Sequence, residues 1–223
     1  MPRVILFDID NTLLYTQGAG SHAFNVAFNE MFGVTDGFAR VEFSGRTDRF
    51  ILQSGLDEHG IEGGIEKHFD AFTQRYYQLL PESIAQRDGY LMPGFPELLA
   101  ALRDAGARLG LATGNFSEAA TIKLRHYDIA DYFQGGGFGE VSTERADGVA
   151  AAIRNVANGA APGDILVVGD TPHDITSALD NNAIAIGVAT GNFTTDELSA
   201  AGAHTVFQDF SDWQSAASQL LSS

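Results

Sequence analysis

From Arg108 onward, short apolar runs alternate with stretches of helical spacing, a rhythm that restricts the chain to α/β architecture with a largely parallel sheet. Strands are predicted near Arg108-Ala112, Ile165-Gly169, Ala183-Val188 and His204-Phe207, with a weaker one near Gly136-Gly139. Helices are predicted over Ser117-Tyr127, Ala146-Asn158, Pro172-Asn181, Thr195-Ala201 and Asp212-Leu221. The run Val4-Phe7 suits a further strand covered on both faces, and two aspartates, Asp8 and Asp10, follow where it should stop. Side chains two apart on a strand share a face, so two carboxylates would enter one space. Asp10-Asn11 as a solvated turn is one reading, and a metal and anion site is the other.

Nearly a hundred residues separate the Asp8 strand from the Arg108 strand, where a simple βαβ unit needs roughly 30 in all. Phe95-Ala105 supplies the crossover helix, which leaves residues 16–88 as an inserted unit and 1–15 with 89–223 as the sheet domain. The insert reads helical: one stretch of apolar spacing ends at Gly33, and another is expected to stop before Pro81. Glycines 18, 20, 89 and 94 with Pro93 mark plausible hinges. A helical lid over the carboxyl ends of the strands is the natural arrangement, because ligands of open α/β sheets bind there.

Thirteen basic against 29 acidic residues give a formal charge of -16, which repels nucleic acid and anionic membrane surfaces. The absence of cysteine excludes disulfides, thiol chemistry and Cys-based zinc sites. The start lacks the pattern of a signal peptide and no apolar run approaches spanning length, so a cytoplasmic protein is expected, as a monomer or weak homo-oligomer.

Three apolar strands end in polar residues: Asp8 after the first, Thr113-Gly114-Asn115 after "RLGLA", and Asp170, with Asp174 four residues on, after "DILVVG". The Thr113 hydroxyl and the amides of Gly114 and Asn115 offer donors to a phosphate, and Ser117 is placed to cap the next helix. Each segment alone also fits a capped strand-to-helix turn. A shared Mg²⁺ explains why Asp8 and Asp170 end their strands alike, since this hard cation takes carboxylates, water and substrate phosphate.

"DIDNT", then "TGN", then "GDTPHD", in that order after apolar strands, resembles the haloacid dehalogenase-like hydrolase superfamily, in particular its phosphoglycolate phosphatases and β-phosphoglucomutases with a helical cap. The resemblance implies a Rossmann-like parallel core and a Mg²⁺-dependent phosphatase acting on a small phosphorylated metabolite. It makes Asp8 the nucleophile that forms an aspartyl-phosphate, and Asp10 the acid and base. It places Mg²⁺ on the Asp8 carboxylate, the Asp10 carbonyl and Asp170, with Asp174 in support, and the phosphoryl oxygens on Thr113 and nearby amides.

Where the family carries a lysine before the helix leading to the Asp170 strand, this chain reads "STERADG". Arg145 is therefore the expected phosphate and Asp8 partner, with an exposed surface pair as the alternative. Lys123, on the preceding helix, is expected to be solvated. Arg46 in "FSGRTDRF" is a candidate for a substrate carboxylate or second phosphate, with Thr47 or Asp48 capping the following helix. His22 is expected on a helix surface or in the core, and His173 to position or be exposed. A phosphomutase, a metal-free dehalogenase and a non-catalytic binding protein are the rival functions. Asp10 and the Asp170-Asp174 pair argue against the dehalogenase.

Overall fold

The protein is described by a computed structural model over residues 3–222. Six parallel strands form one sheet: β1 (Val4–Phe7), β4 (Arg108–Ala112), β5 (Gly136–Gly137), β6 (Ile165–Gly169), β7 (Ile184–Val188) and β8 (Thr205–Phe207). A two-stranded antiparallel ribbon, β2 (Leu14–Tyr15) with β3 (Tyr90–Leu91), stands apart from it. The sheet order is β5-β4-β1-β6-β7-β8, so β1 is central and the chain reverses its direction of travel across the sheet between β1 and β6.

Alternation along the strands divides the core. Ile5 and Phe7 face one layer with Leu109, Leu111, Leu166 and Val168, covered by α4 (Glu97–Asp104) and α9 (Trp213–Ser222). Val4 and Leu6 face the other with Val167 and Ala185, covered by α6 (Arg145–Val156), α7 (Pro172–Asp180) and α8 (Thr195–Ala200). Strands buried on both faces are apolar throughout, which is why these runs were readable without alternating polarity.

Between β2 and β3 lie α1 (Ala19–Phe32), α2 (Asp48–Glu58) and α3 (Gly64–Ala85), with their own aromatic core built on Phe24, Phe28, Phe38, Phe72 and Tyr76. Helix α1 ends at Gly33, whose left-handed backbone (φ 69°) sends its N–H to the Asn29 carbonyl. Helix α3 does not stop before Pro81 but runs through it to Ala85. Pro81 is exposed, whereas Leu80, Ser83 and Ile84 are buried, and the Ser83 hydroxyl donates to the Ala19 carbonyl at 2.9 Å. This packing outweighs the one helical bond that proline removes. Phe116 and Ala119 of α5 (Ser117–His126 with its preceding residue) join the insert's core and seat it on the sheet domain. Among the described residues no helix is long and apolar enough to cross a membrane.

Candidate active site

Strands β1 and β6 pair with Phe7 opposite Val168, and the Asp8 N–H donates to the Val168 carbonyl at 2.9 Å. This register brings Asp8 and Asp170 together at the topological switch point, the crevice where open α/β sheets bind ligands. Asp174 joins them from α7, where it does two things. One carboxylate oxygen closes a capping box by accepting from the Thr171 N–H (3.0 Å) and hydroxyl (2.8 Å). The other faces the two aspartates. Ligand oxygens of Asp8, Asp170 and Asp174 lie within 4.8 Å of one another, all three residues being buried. Asp170 Oδ2 and Asp174 Oδ1 are buried without a hydrogen-bond donor.

Burial pushes the Asp8 carboxyl up to about 6; Arg145 opposes this, and Asp174 and Asp10 add to it. Asp170 is raised well above the carboxylate range by burial and by Asp174. Converging, buried and partly orphaned carboxylate oxygens fit a hard divalent cation. Arg145, at the first turn of α6, supplies the local positive charge: its Nη2 lies 2.7 Å from Asp8 and 2.6 Å from Asp174 Oδ1, the latter a charge contact without hydrogen-bond geometry. Burial alone would lower this guanidinium, but Asp174 and Asp8 hold it above its ordinary value.

Asp10 leaves the strand at a left-handed turn (Asn11 φ 59°) and turns its carboxylate to α5. There Lys123 Nζ sits 2.7 and 2.6 Å from its two oxygens and 2.7 Å from Asn115 Oδ1, while Asn115 Nδ2 donates to Asp10 Oδ2 at 2.8 Å. Lys123 is therefore not solvated but only 3% exposed. It was missed because its neighbours Arg125 and His126 are polar; the available signal was its place in the buried stripe Ala119, Ala120, Lys123, Leu124.

Gly114 and Asn115 line the cavity; Thr113 is buried beside them, its hydroxyl accepting from the Asn115 N–H (3.2 Å) and side-chain amide (2.9 Å). Ser117 does not cap α5. The Phe116 N–H is satisfied instead by Asp48 Oδ2 (2.9 Å), and that of Ser117 by Glu140 (3.1 Å). Thr47 caps α2 by accepting from the Phe50 N–H at 3.1 Å. It also donates to the Ser142 carbonyl at 3.0 Å, so the loop before α2 is tied to the sheet domain at several points. Glycine is required at 114, since a Cβ there would come within 2.2 Å of the Arg46 carbonyl.

The space enclosed is about 400 Å³, lined by Asp8, Asp10, Asp170, Lys123 and Arg145 from the sheet domain and by insert residues including Phe24, Asp48 and Tyr76. Arg46 lines it as well, yet its guanidinium lies 3.5 Å from Glu42 and 4.7 Å over the Phe50 ring. His22 is exposed, and His173 packs against Gly45. Thr12, which donates to Asp170 Oδ1 at 3.3 Å, and Asn192, in the loop after β7, are site residues that the motifs alone did not single out.

Residues 2–182 match the family described as haloacid dehalogenase-like hydrolase. The chain is 27% identical, over 99% of its length and 96% of the other's, to "Probable phosphatase IndB" of Dickeya dadantii (strain 3937). It is 26% identical, over 96% and 91%, to a phosphoglycolate phosphatase of Rhodospirillum rubrum. A solved structure of a predicted phosphatase from Clostridium acetobutylicum superposes with a TM-score of 0.71 at 20% identity, covering 100% of each chain. With the sheet order, the carboxylate cluster at the switch point and a family match across most of its length, the chain belongs to the haloacid dehalogenase-like hydrolases.

Proposed function

We propose that the protein is a Mg²⁺-dependent phosphatase that hydrolyses a small phosphomonoester through an aspartyl-phosphate, in the manner of phosphoglycolate phosphatases. The observation that carries this reading is Asp8 at the end of the central strand, facing Asp170 and Asp174, with a guanidinium at 2.7 Å. The names of the relatives, two of them phosphatases, support it. Residues 16–88 act as the cap, and residues 1–15 and 89–223 as the catalytic domain.

Asp8, Asp170 and the Asp10 carbonyl would hold Mg²⁺, with Asp174 behind them, and the bound ion would supply positive charge where carboxylate and phosphate meet. An Asp8 oxygen attacks phosphorus as the bond to the leaving oxygen breaks. Asp10 delivers a proton to that oxygen, then takes one from the water that cleaves the aspartyl-phosphate and frees Asp8. Lys123 and Asn115 hold Asp10 in the orientation both transfers need. Arg145 offsets the negative charge around Asp8, and the Gly114 and Asn115 amides with Thr113 receive phosphoryl oxygens. The cap shields these steps from bulk water.

The test is phosphate release from a panel of phosphomonoesters with and without Mg²⁺, alongside orthovanadate binding. Metal-dependent release, with vanadate binding that strengthens when Mg²⁺ is present, is the expected result. No release and no coupling between metal and vanadate would exclude the reading.

A further inference from the structure

Asp10, as proton donor, marks the end of the cavity where the leaving group sits. Around it the wall is apolar or neutral apart from Asp48. A Cβ on Gly20 would lie 3.5 Å from Lys123 Nζ and 3.6 Å from Tyr76 Oη, which places the Tyr76 hydroxyl beside the Asp10-Lys123 pair. Tyr76 packs edge to face on Phe24 at 4.7 Å, and Phe24 on Phe43 at 6.3 Å. All three rings line the cavity together with Ile51, and Ser21 and Asn192 add uncharged hydrogen-bonding groups.

The charges settle what such a wall accepts. Among the described residues three cations line the cavity, and each already faces a carboxylate of the chain. Lys123 spends its donors on Asp10 and Asn115. Arg145 is paired with Asp8 and Asp174. Arg46 lies 3.5 Å from the exposed Glu42 and over the Phe50 ring, with its Nε buried without a hydrogen-bond partner. Four carboxylates line the same space, Asp8, Asp10, Asp48 and Asp170, so a second anionic group on the substrate would gain a counter-charge only by drawing Arg46 away from Glu42 and Phe50.

We propose that the leaving group accepted here is an uncharged alcohol with an apolar or aromatic face, and that esters bearing a carboxylate or a second phosphate are poor substrates. The inference rests on the phosphatase reading above and selects within it. It keeps the aspartyl-phosphate chemistry proposed above in the manner of phosphoglycolate phosphatases and departs from them in the ester, since phosphoglycolate carries its own carboxylate.

The experiment compares benzyl phosphate with 4-carboxybenzyl phosphate, by kcat/KM in Mg²⁺ and by displacement of bound orthovanadate. The uncharged ester is expected to be favoured by about tenfold or more in both readouts, the scale set by an uncompensated charge in a partly wet site. Equal values, or preference for the carboxylated ester, would overturn the proposal. Arg46→Ala should change both esters in proportion; a loss confined to the carboxylated ester would show Arg46 turning inward as its receptor and would also overturn it. Turnover of neither ester, with no metal-coupled vanadate binding, removes the phosphatase reading itself. If vanadate binds but neither ester turns over, the displacement ratio alone decides, and a ratio near one overturns the leaving-group assignment while leaving phosphoryl binding intact.

Discussion

The Asp48 carboxylate, carried by the inserted helices, accepts the Phe116 N–H at 2.9 Å and so terminates a helix of the sheet domain. The Asp48 N–H reciprocates by donating to the Gly114 carbonyl at 2.7 Å. The strand-end loop of the sheet domain and the first turn of α2 thus complete one another's hydrogen bonding, and neither has its full set of partners when they separate.

Burial pushes the Asp48 carboxyl up to about 7, with Lys123 and the Phe116 amide acting the other way. An acid raised by folding contributes stability below its unfolded value of 3.8 and loses it as pH rises towards 7. Asp48→Asn keeps an acceptor for Phe116 but has no charge to desolvate. It should be more stable than wild type at pH 8, by on the order of 1 kcal/mol since the cavity leaves part of the group wet, and the gap should close towards pH 4. Urea melts at both pH values measure it.

Asp8→Asn should abolish phosphate release, by a factor on the order of 10³ or more, while the protein still folds. Retained activity would assign the nucleophile elsewhere.

Lys123→Met removes the group that orients Asp10 while nearly filling its volume. Proton delivery matters most for a poor leaving group, so kcat should fall by roughly 10²-fold on alkyl phosphates and far less on p-nitrophenyl phosphate. A uniform loss on both would point to general disruption instead of a misplaced Asp10.

Arg145→Met leaves Asp8 and Asp174 without their cation. The metal-free protein should lose about 3 kcal/mol, the scale of breaking a buried ion pair, and Mg²⁺ should raise its Tm by more than it raises that of wild type. Arg145→Lys should recover part of the loss. Thermal melts with and without Mg²⁺ give both answers.

Most of the sheet was legible because its strands are apolar on both faces: Arg108–Ala112 and Ile165–Gly169 fall where the runs place them. The aspartates at the switch point were legible for a related reason, since carboxylates directly after such runs have no core role. What escaped depended on contacts made far along the chain. Lys123 reads as a surface residue until Asp10, 113 positions away, is brought to it. The cap of α5 comes from Asp48 and Glu140 and not from the nearby Ser117, because the docked loop occupies the helix end first. Pro81 stays helical because its neighbours Leu80 and Ile84 are buried in the insert's core and Ser83 bonds to α1. The ribbon β2-β3 is two residues per strand, too short for any periodicity to register.

That ribbon has a consequence for how the insert can be exchanged. Leu14 pairs with Leu91 and Tyr15 with Tyr90, so the chain departs for the insert and returns from it at adjacent points, separated by one strand spacing. Whatever lies between them behaves as a cassette plugged into a two-pin socket. Exchanging it for another helical unit requires that the new segment end on the same pair, pack on Phe116 and Ala119, and replace the hydrogen bonds that Thr47 and Asp48 make to Ser142, Gly114 and Phe116.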